Sequence, residues 1–170
     1  QLRQAVGPEN ILAEPEHTIA YECDSFAFHR HTPEAVLLLS NREEIARVIR
    51  IALQHHVPFV PRGSGTGLSG GALPRHGGLV LTVSRMKKIR EIDFENRQAV
   101  VEPGVINMEL TNATSPGGYY FAPDPSSQQV CSIGGNVAEN SGGAHCLKYG
   151  FTVHHVLEAE AVMPDGEIVR

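Results

Sequence analysis

The run Pro61-Arg62-Gly63-Ser64-Gly65-Thr66-Gly67-Leu68-Ser69-Gly70-Gly71 constrains this chain more than any other stretch. It places five glycines within nine positions, directly after the short apolar run Pro58-Phe59-Val60. Glycine accepts backbone conformations that other residues resist. A series of glycines lets consecutive amides turn inward and point at one anion. Arg62 adds a fixed positive charge with a planar fork of donors suited to phosphate oxygens, and Ser64, Thr66 and Ser69 add hydroxyls. The stretch reads as a loop built to hold a phosphate or pyrophosphate. The competing reading is a flexible surface linker, but linkers of that kind rarely need Arg62, Pro61 or Pro74.

Two common phosphate motifs are tested against it. Gly65-Thr66-Gly67-Leu68-Ser69-Gly70 fits G-x-G-x-x-G letter for letter. The dinucleotide fold requires a helix to begin in that loop and an acid about 20 residues later. Gly71-Ala72-Leu73-Pro74 begins no helix, and positions 87–90 read Lys-Lys-Ile-Arg, so the match is accidental. A P-loop ends in Gly-Lys-Ser/Thr, and no lysine precedes Lys87. The loop is expected to hold its anion through amides and Arg62, without a helix dipole.

The 170 residues suffice for one domain with a core of its own. A net charge of −5 offers no basic face for a nucleic acid. No apolar run approaches the ~20 residues of a membrane span, and the start lacks the apolar segment of a signal peptide. The absence of an initiator methionine, and a strand-like end at Arg170, suggest a piece of a longer chain. Cys23, Cys131 and Cys146 show no C-x-x-C spacing. That suits a reducing compartment, with neither a disulfide framework nor a zinc site.

Residues 1–33 read as irregular and polar, with a helix end at Gln1–Val6 stopped by Gly7-Pro8. His29 and His31 have no accompanying cluster and read as a solvated segment. The apolar run 35–39 is a buried strand. Ser40 and Glu43 are spaced as a capping box. Ile45, Val48, Ile49, Ala52 and Leu53 then recur at helical spacing, predicting a helix over 42–54. The strand 58–61 completes a strand–helix–strand unit that delivers the glycine loop at its end. A third strand follows at 78–83. Residues 89–94 and 98–101 read as a hairpin turning at 95–97. A short helix is predicted over 105–112, with Ile106, Glu109 and Leu110 partly buried. The stretch 153–162 reads as a long strand.

A second glycine-rich region lies between these elements. Phe121-Ala122-Pro123-Asp124-Pro125-Ser126-Ser127 is a proline-stiffened loop, and Ser132–Gly143 carries two Gly-Gly pairs eight apart. Asn136, Asn140 and Ser141 lie between the pairs and can present amides and hydroxyls together. A helix with glycine caps at both ends reads the same stretch equally well. Two such regions in one small domain favour a long ligand, which needs several backbone approaches.

The series Pro61–Gly71, Ala122–Ser127, Cys131–Gly143 and Leu147-Lys148-Tyr149-Gly150 closely resembles the FAD-binding domain of the vanillyl-alcohol oxidase / p-cresol methylhydroxylase (PCMH) superfamily. Within it the resemblance is nearest to the branch that holds the FAD-linked glycolate oxidase subunits and the D-lactate dehydrogenases, and it covers about residues 33–170. It implies an α+β fold of two subdomains with FAD between them, one over about 33–88 and the other over about 89–170. The second would be incomplete, the domain truncated at its C-terminus and the substrate domain absent.

By resemblance, Pro61, Arg62, Gly63, Ser64, Gly65, Thr66, Gly67, Leu68 and Ser69 would hold the pyrophosphate. Pro123, Asp124, Pro125, Ser126, Ser127, Ser132, Ile133, Gly134, Gly135 and Asn136 would line the flavin and ribityl side. Ser141, Gly142, Gly143, Tyr149 and Gly150 would complete the pocket. Some relatives attach flavin covalently through a histidine in the first glycine loop. Thr66 stands at that position, which implies non-covalent FAD.

The implied function is the FAD-binding part of a 2-hydroxy-acid oxidoreductase, inactive alone, in which a hydride passes from substrate to flavin. A catalytic base is not assigned, and no metal site is expected. Electrons would pass to partner subunits or a quinone pool, in a cytoplasmic protein associated with membranes only through those partners. The alternatives are a non-catalytic FAD- or nucleotide-binding module, or a related flavoenzyme acting on a different alcohol.

Overall fold

The computed structural model describes residues 1–170, which form two compact units: residues 1–85 with 158–170, and residues 86–157. In the first, α1 (Leu2–Val6) ends at Gly7, and β1 (Ile11–Leu12) and α2 (Pro15–Thr18) follow. The apolar run becomes β2 (Ala35–Leu38), the periodic stretch α3 (Arg42–Gln54), and the next two strands β3 (Phe59–Arg62) and β4 (Leu79–Thr82). The sheet order is β1-β2-β4-β3. β1 is antiparallel to β2, whereas β2 and β3 both pair parallel with β4. The last strand of the three in sequence therefore inserts between the other two.

Parallel strands covered on both faces read as continuous apolar runs rather than alternations. Leu37, Leu39, Leu79 and Leu81 pack with Val48, Ile49 and Ala52 of α3, while the alternate residues Val36 and Val80 are fully buried too. β3 lies at the sheet edge, where Pro61 sacrifices no essential ladder donor. A hairpin of Ala161–Val162 against Ile168–Val169 closes this unit. Arg50 on α3 donates from Nη2 to the Gly166 carbonyl at 2.6 Å.

The cap of α3 differs from the expected Ser40–Glu43 pair by one residue. Asn41 is the N-cap, its Oδ1 accepting from the Glu44 amide at 2.8 Å, and Glu44 accepts in turn from the Ser40 amide at 2.8 Å. Asn caps as well as Ser, and the two candidate registers share one sequence pattern.

In the second unit β5 (Ile89–Asp93) and β6 (Gln98–Val101) form an antiparallel hairpin with an irregularity between Ile89 and Glu91. α4 (Asn107–Thr114) begins two residues later than predicted. Glu109 is exposed rather than half-buried, because its carboxylate reaches back to the Ile106 amide at 3.1 Å. α5 (Ile133–Glu139) and α6 (Cys146–Tyr149) follow. The core here is small: Val105, Leu110 and Ile133, with Ile89, Val101 and Phe121 against them.

The long strand expected over 153–162 does not form. Residues 152–155 make a 3-10 turn, and only Ala161 and Val162 of the stretch are extended in a ladder. Thr152 is fully buried and donates through both its amide, at 3.0 Å, and its hydroxyl, at 2.8 Å, to the Ser141 carbonyl. This non-local anchor overrides the β preference of the valines.

Candidate functional site

The glycine loop leaves the carboxyl end of β3, beside the carboxyl end of β4, the edge where open α/β sheets place ligands. No helix starts within residues 63–72, so the G-x-G-x-x-G match is indeed accidental. Gly65 and Gly70 have φ of 71° and 75°, in the left-handed region that side chains disfavour. The amides of Ser64, Gly65, Thr66 and Leu68 meet no acceptor within the protein. Pro61, Ser64, Leu68 and Ser69 are exposed, and Gly63, Gly65, Thr66 and Gly67 half-buried.

Arg62 is buried, at 7 % exposure. Its Nη2 donates to the Cys23 carbonyl at 2.8 Å, and its guanidinium carbon lies 5.5 Å from the centre of the Tyr21 ring. Nη1 is buried with no acceptor in the protein. Burial lowers the pKa of this guanidinium, and its residual attraction to Cys23, Tyr21 and Asp24 opposes the shift. An unpaired, desolvated cation is costly, so an anion has favourable electrostatics here.

Part of the segment read as solvated is tied to the glycine loop, while residues 25–30 are exposed. Ser25 donates from its amide to the Gly67 carbonyl at 3.2 Å. Asp24, 7 % exposed, accepts from the Gly70 amide at 2.9 Å with Oδ2 and from the Phe26 amide at 2.8 Å with Oδ1. His29 is exposed and His31 half-buried.

In the second unit, Pro123 is buried and its carbonyl accepts from Nδ2 of the fully buried Asn107 at 2.9 Å. Asn107 was missed by the sequence reading, because a polar residue in a helix carries no signal of a partner 16 positions away. Asp124 binds His145 twice: Oδ2 to Nδ1 at 2.6 Å, and Oδ1 to the backbone amide at 3.2 Å. The His145 hydrogen bond holds the Asp124 carboxyl below its ordinary pKa. Pro125 and Ser127 are half-buried and Ser126 exposed, while the Ser127 carbonyl receives the Val130 and Cys131 amides, each at 2.8 Å.

α5 is capped by Ser132 at one end and by left-handed Asn140, φ 49°, at the other, so neither glycine pair supplies the caps. The Ile133 and Gly134 amides go to the carbonyls of Val105 and Pro103, each at 2.8 Å. The Gly135 amide goes to Ser132 Oγ at 3.4 Å. A side chain at Gly134 would meet Pro103, and one at Gly142 the Phe151 ring, each about 2.7 Å away. One at Gly143 would overlap Asp124. These glycines serve close packing within the protein.

Asn136 is buried at 1 % exposure. Its Nδ2 has no oxygen or nitrogen acceptor; the side chain lies by the Cys131 thiol, a weak partner. Burial raises the pKa of that thiol. Ser141 is half-buried, Tyr149 meets the Tyr120 ring edge-on at 6.2 Å between ring centres and has the Lys148 ammonium 4.8 Å from its own ring centre, and Gly150 has φ of 87°. Both buried donors left unpaired, on Arg62 and Asn136, belong to residues singled out for a cofactor. Each is a donor, in its own unit, of the kind that a phosphate or carbonyl oxygen accepts.

The FAD binding domain family model matches residues 33–170, and the chain belongs to that family. Among curated proteins it is 48 % identical over 166 residues to glycolate oxidase subunit GlcD of Escherichia coli, covering 98 % of this chain and 33 % of that protein. It is 45 % identical over 170 residues to GlcD of Bacillus subtilis, covering 100 % and 36 %. Against the D-lactate dehydrogenase of Anaerostipes hadrus it is 32 % identical, covering 97 % and 35 %. The chain thus spans about a third of the length of these relatives.

Among solved structures, substrate-bound p-cresol methylhydroxylase superposes with a TM-score of 0.84 at 22 % identity, covering 99 % of this chain and 33 % of that one. An alkyldihydroxyacetonephosphate synthase gives 0.83 at 22 %, covering 95 % and 35 %. At that identity the likeness shows the fold. No helix of the chain is long and apolar enough to cross a membrane.

Proposed function

We propose that this chain is the FAD-binding part of a flavin-dependent 2-hydroxy-acid oxidoreductase. One observation carries the reading. The loop after β3 offers amides that no protein acceptor claims, above a buried Arg62 whose Nη1 is unpaired. Amides and a cation preorganised in this way bind a polyphosphate with little further ordering. Pro123–Ser127 and Ser132–Asn136 take the flavin and ribityl side, and Ser141–Gly143 with Tyr149 and Gly150 complete the site. The substrate class rests on the identity, along nearly the whole chain, to glycolate oxidase subunits and a D-lactate dehydrogenase.

When bound, the flavin supplies the hydride acceptor, and the protein supplies binding, orientation and electrostatics. Arg62 neutralises phosphate charge from beneath the loop. Asn136 donates from a buried position. Thr66, with no ring nitrogen, leaves the cofactor dissociable. Electrons leave toward partner subunits or a quinone pool, in a cytoplasmic protein that meets membranes through those partners.

The test uses the full-length protein. Anaerobic glycolate or D-lactate should bleach the flavin absorption band, and Arg62→Ala should weaken FAD in a titration of the apoprotein. A flavin that no 2-hydroxy acid reduces overturns the substrate class. Unchanged FAD affinity in Arg62→Ala overturns the phosphate assignment.

A further inference from the structure

We propose that Asp24, with the short segment that carries it, is a positioning residue that shapes the glycine loop before the cofactor arrives and thereby sets cofactor affinity. The affinity half rests on the loop being the phosphate site proposed above. The segment lies outside the stretch matched by the family model, which begins at residue 33.

Consecutive residues hold different points of the loop and its base. The Cys23 carbonyl accepts from Arg62 Nη2 at 2.8 Å. The Asp24 carboxylate accepts from the Gly70 amide at 2.9 Å. The Ser25 amide donates to the Gly67 carbonyl at 3.2 Å. These bonds tie the beginning, middle and end of the stretch 62–70 to one rigid piece of chain. That piece is stiffened in turn, because the other Asp24 oxygen accepts from the Phe26 amide at 2.8 Å.

Glycines lose more conformational freedom on ordering than any other residue. A loop carrying this many would otherwise pay that entropy when its ligand binds. Cross-links from a separate segment move the cost into folding. Asp24 suits the role because it is buried and both oxygens accept from amides. Charge-assisted bonds of that kind are strong, and a buried carboxylate that lost Gly70 would be left underpaired.

The charge makes the inference discriminating. A carboxylate bonded to a loop that receives an anion repels that anion at short range. If Asp24 acted only through its charge, Asp24→Asn would tighten FAD. As a clamp it acts through geometry: Asn has a single acceptor oxygen and cannot serve both the Gly70 and the Phe26 amides, so either the tie to the loop or the turn that stiffens it is lost, and FAD binds roughly tenfold more weakly or worse.

The experiment compares the wild-type full-length protein with Asp24→Asn and Asp24→Ala. Hydrogen exchange of the amides of 63–71 is followed in the apoprotein, and FAD affinity is titrated separately. The nearly isosteric Asn variant keeps the test open should the Ala variant misfold, and unaltered exchange in β2 and β4 reports an intact core. Faster exchange confined to the loop, with weaker FAD, is expected. Unchanged loop exchange overturns the clamp, whatever FAD does, and so does tighter FAD binding. Faster loop exchange with unchanged FAD affinity upholds the clamp on the loop but overturns the loop as the phosphate site, and with it the affinity half.

Discussion

Replacing Gly65 by alanine separates backbone strain from steric displacement, with Gly70→Ala as the internal control. Both glycines have positive φ, 71° and 75°. An L-residue there costs about 1–2 kcal/mol. At Gly70 the added methyl meets nothing closer than Leu73 Cδ1 at 3.9 Å, an ordinary contact, so strain is the whole effect. At Gly65 the methyl overlaps the Arg62 guanidinium, whose Cζ is 2.6 Å from the Cβ position.

Arg62 must then move, and its charged hydrogen bond to the Cys23 carbonyl, worth about 1.5–3 kcal/mol, is lost. Gly65→Ala is therefore expected to cost about 2.5–5 kcal/mol in total. The assay is the urea midpoint of the full-length apoprotein for each variant. The Gly65 variant should lose at least about 1.5 kcal/mol more than the Gly70 variant. Combining Gly65→Ala with Arg62→Ala should be strongly non-additive. Equal losses for the two glycines, or additive losses in the double variant, would refute the argument that Arg62 is pinned beneath Gly65.

Asp124 is held below its usual pKa by His145. The stabilisation is thus present above the unfolded carboxyl pKa, about 3.9, and lost as pH falls through the lower folded value. Thermal midpoints followed from pH 6 downward should fall less steeply in His145→Ala than in the parent, over roughly the region at and below pH 4; parallel curves would show that the pair contributes nothing. Asn41→Ala removes the α3 cap and should cost about 1 kcal/mol, read as a lower urea midpoint, whereas Ser40→Ala keeps the amide that Glu44 accepts and should change little.

The legible parts of the structure are those with local causes. The bounds of α3 follow from its apolar spacing, and β2 and β4 from unbroken apolar runs. The β5–β6 hairpin is recognisable from the turn at 95–97. The errors were local as well where two registers competed, as with Asn41 against Ser40. They were non-local where a contact such as Thr152 with Ser141 overrode the preference of the stretch. Residues 21–31 carry no periodicity, and they read as solvated because nothing in their order shows which carbonyls and amides they meet.

By itself, the order of residues determined the glycine loop, its delivery from the end of a strand, the family it belongs to and the exclusion of a dinucleotide helix. Each of these is written in neighbouring positions through backbone freedom, spacing or turn chemistry. Only the tertiary structure decided that β4 inserts between β2 and β3, and that Asp24 reaches Gly70 across 46 positions. It alone showed that Asn107 supports Pro123 and that Asp124 orients His145. Such contacts form because burial removes water as the competing partner. Which polar groups are left to pair is settled by the packing of the whole unit.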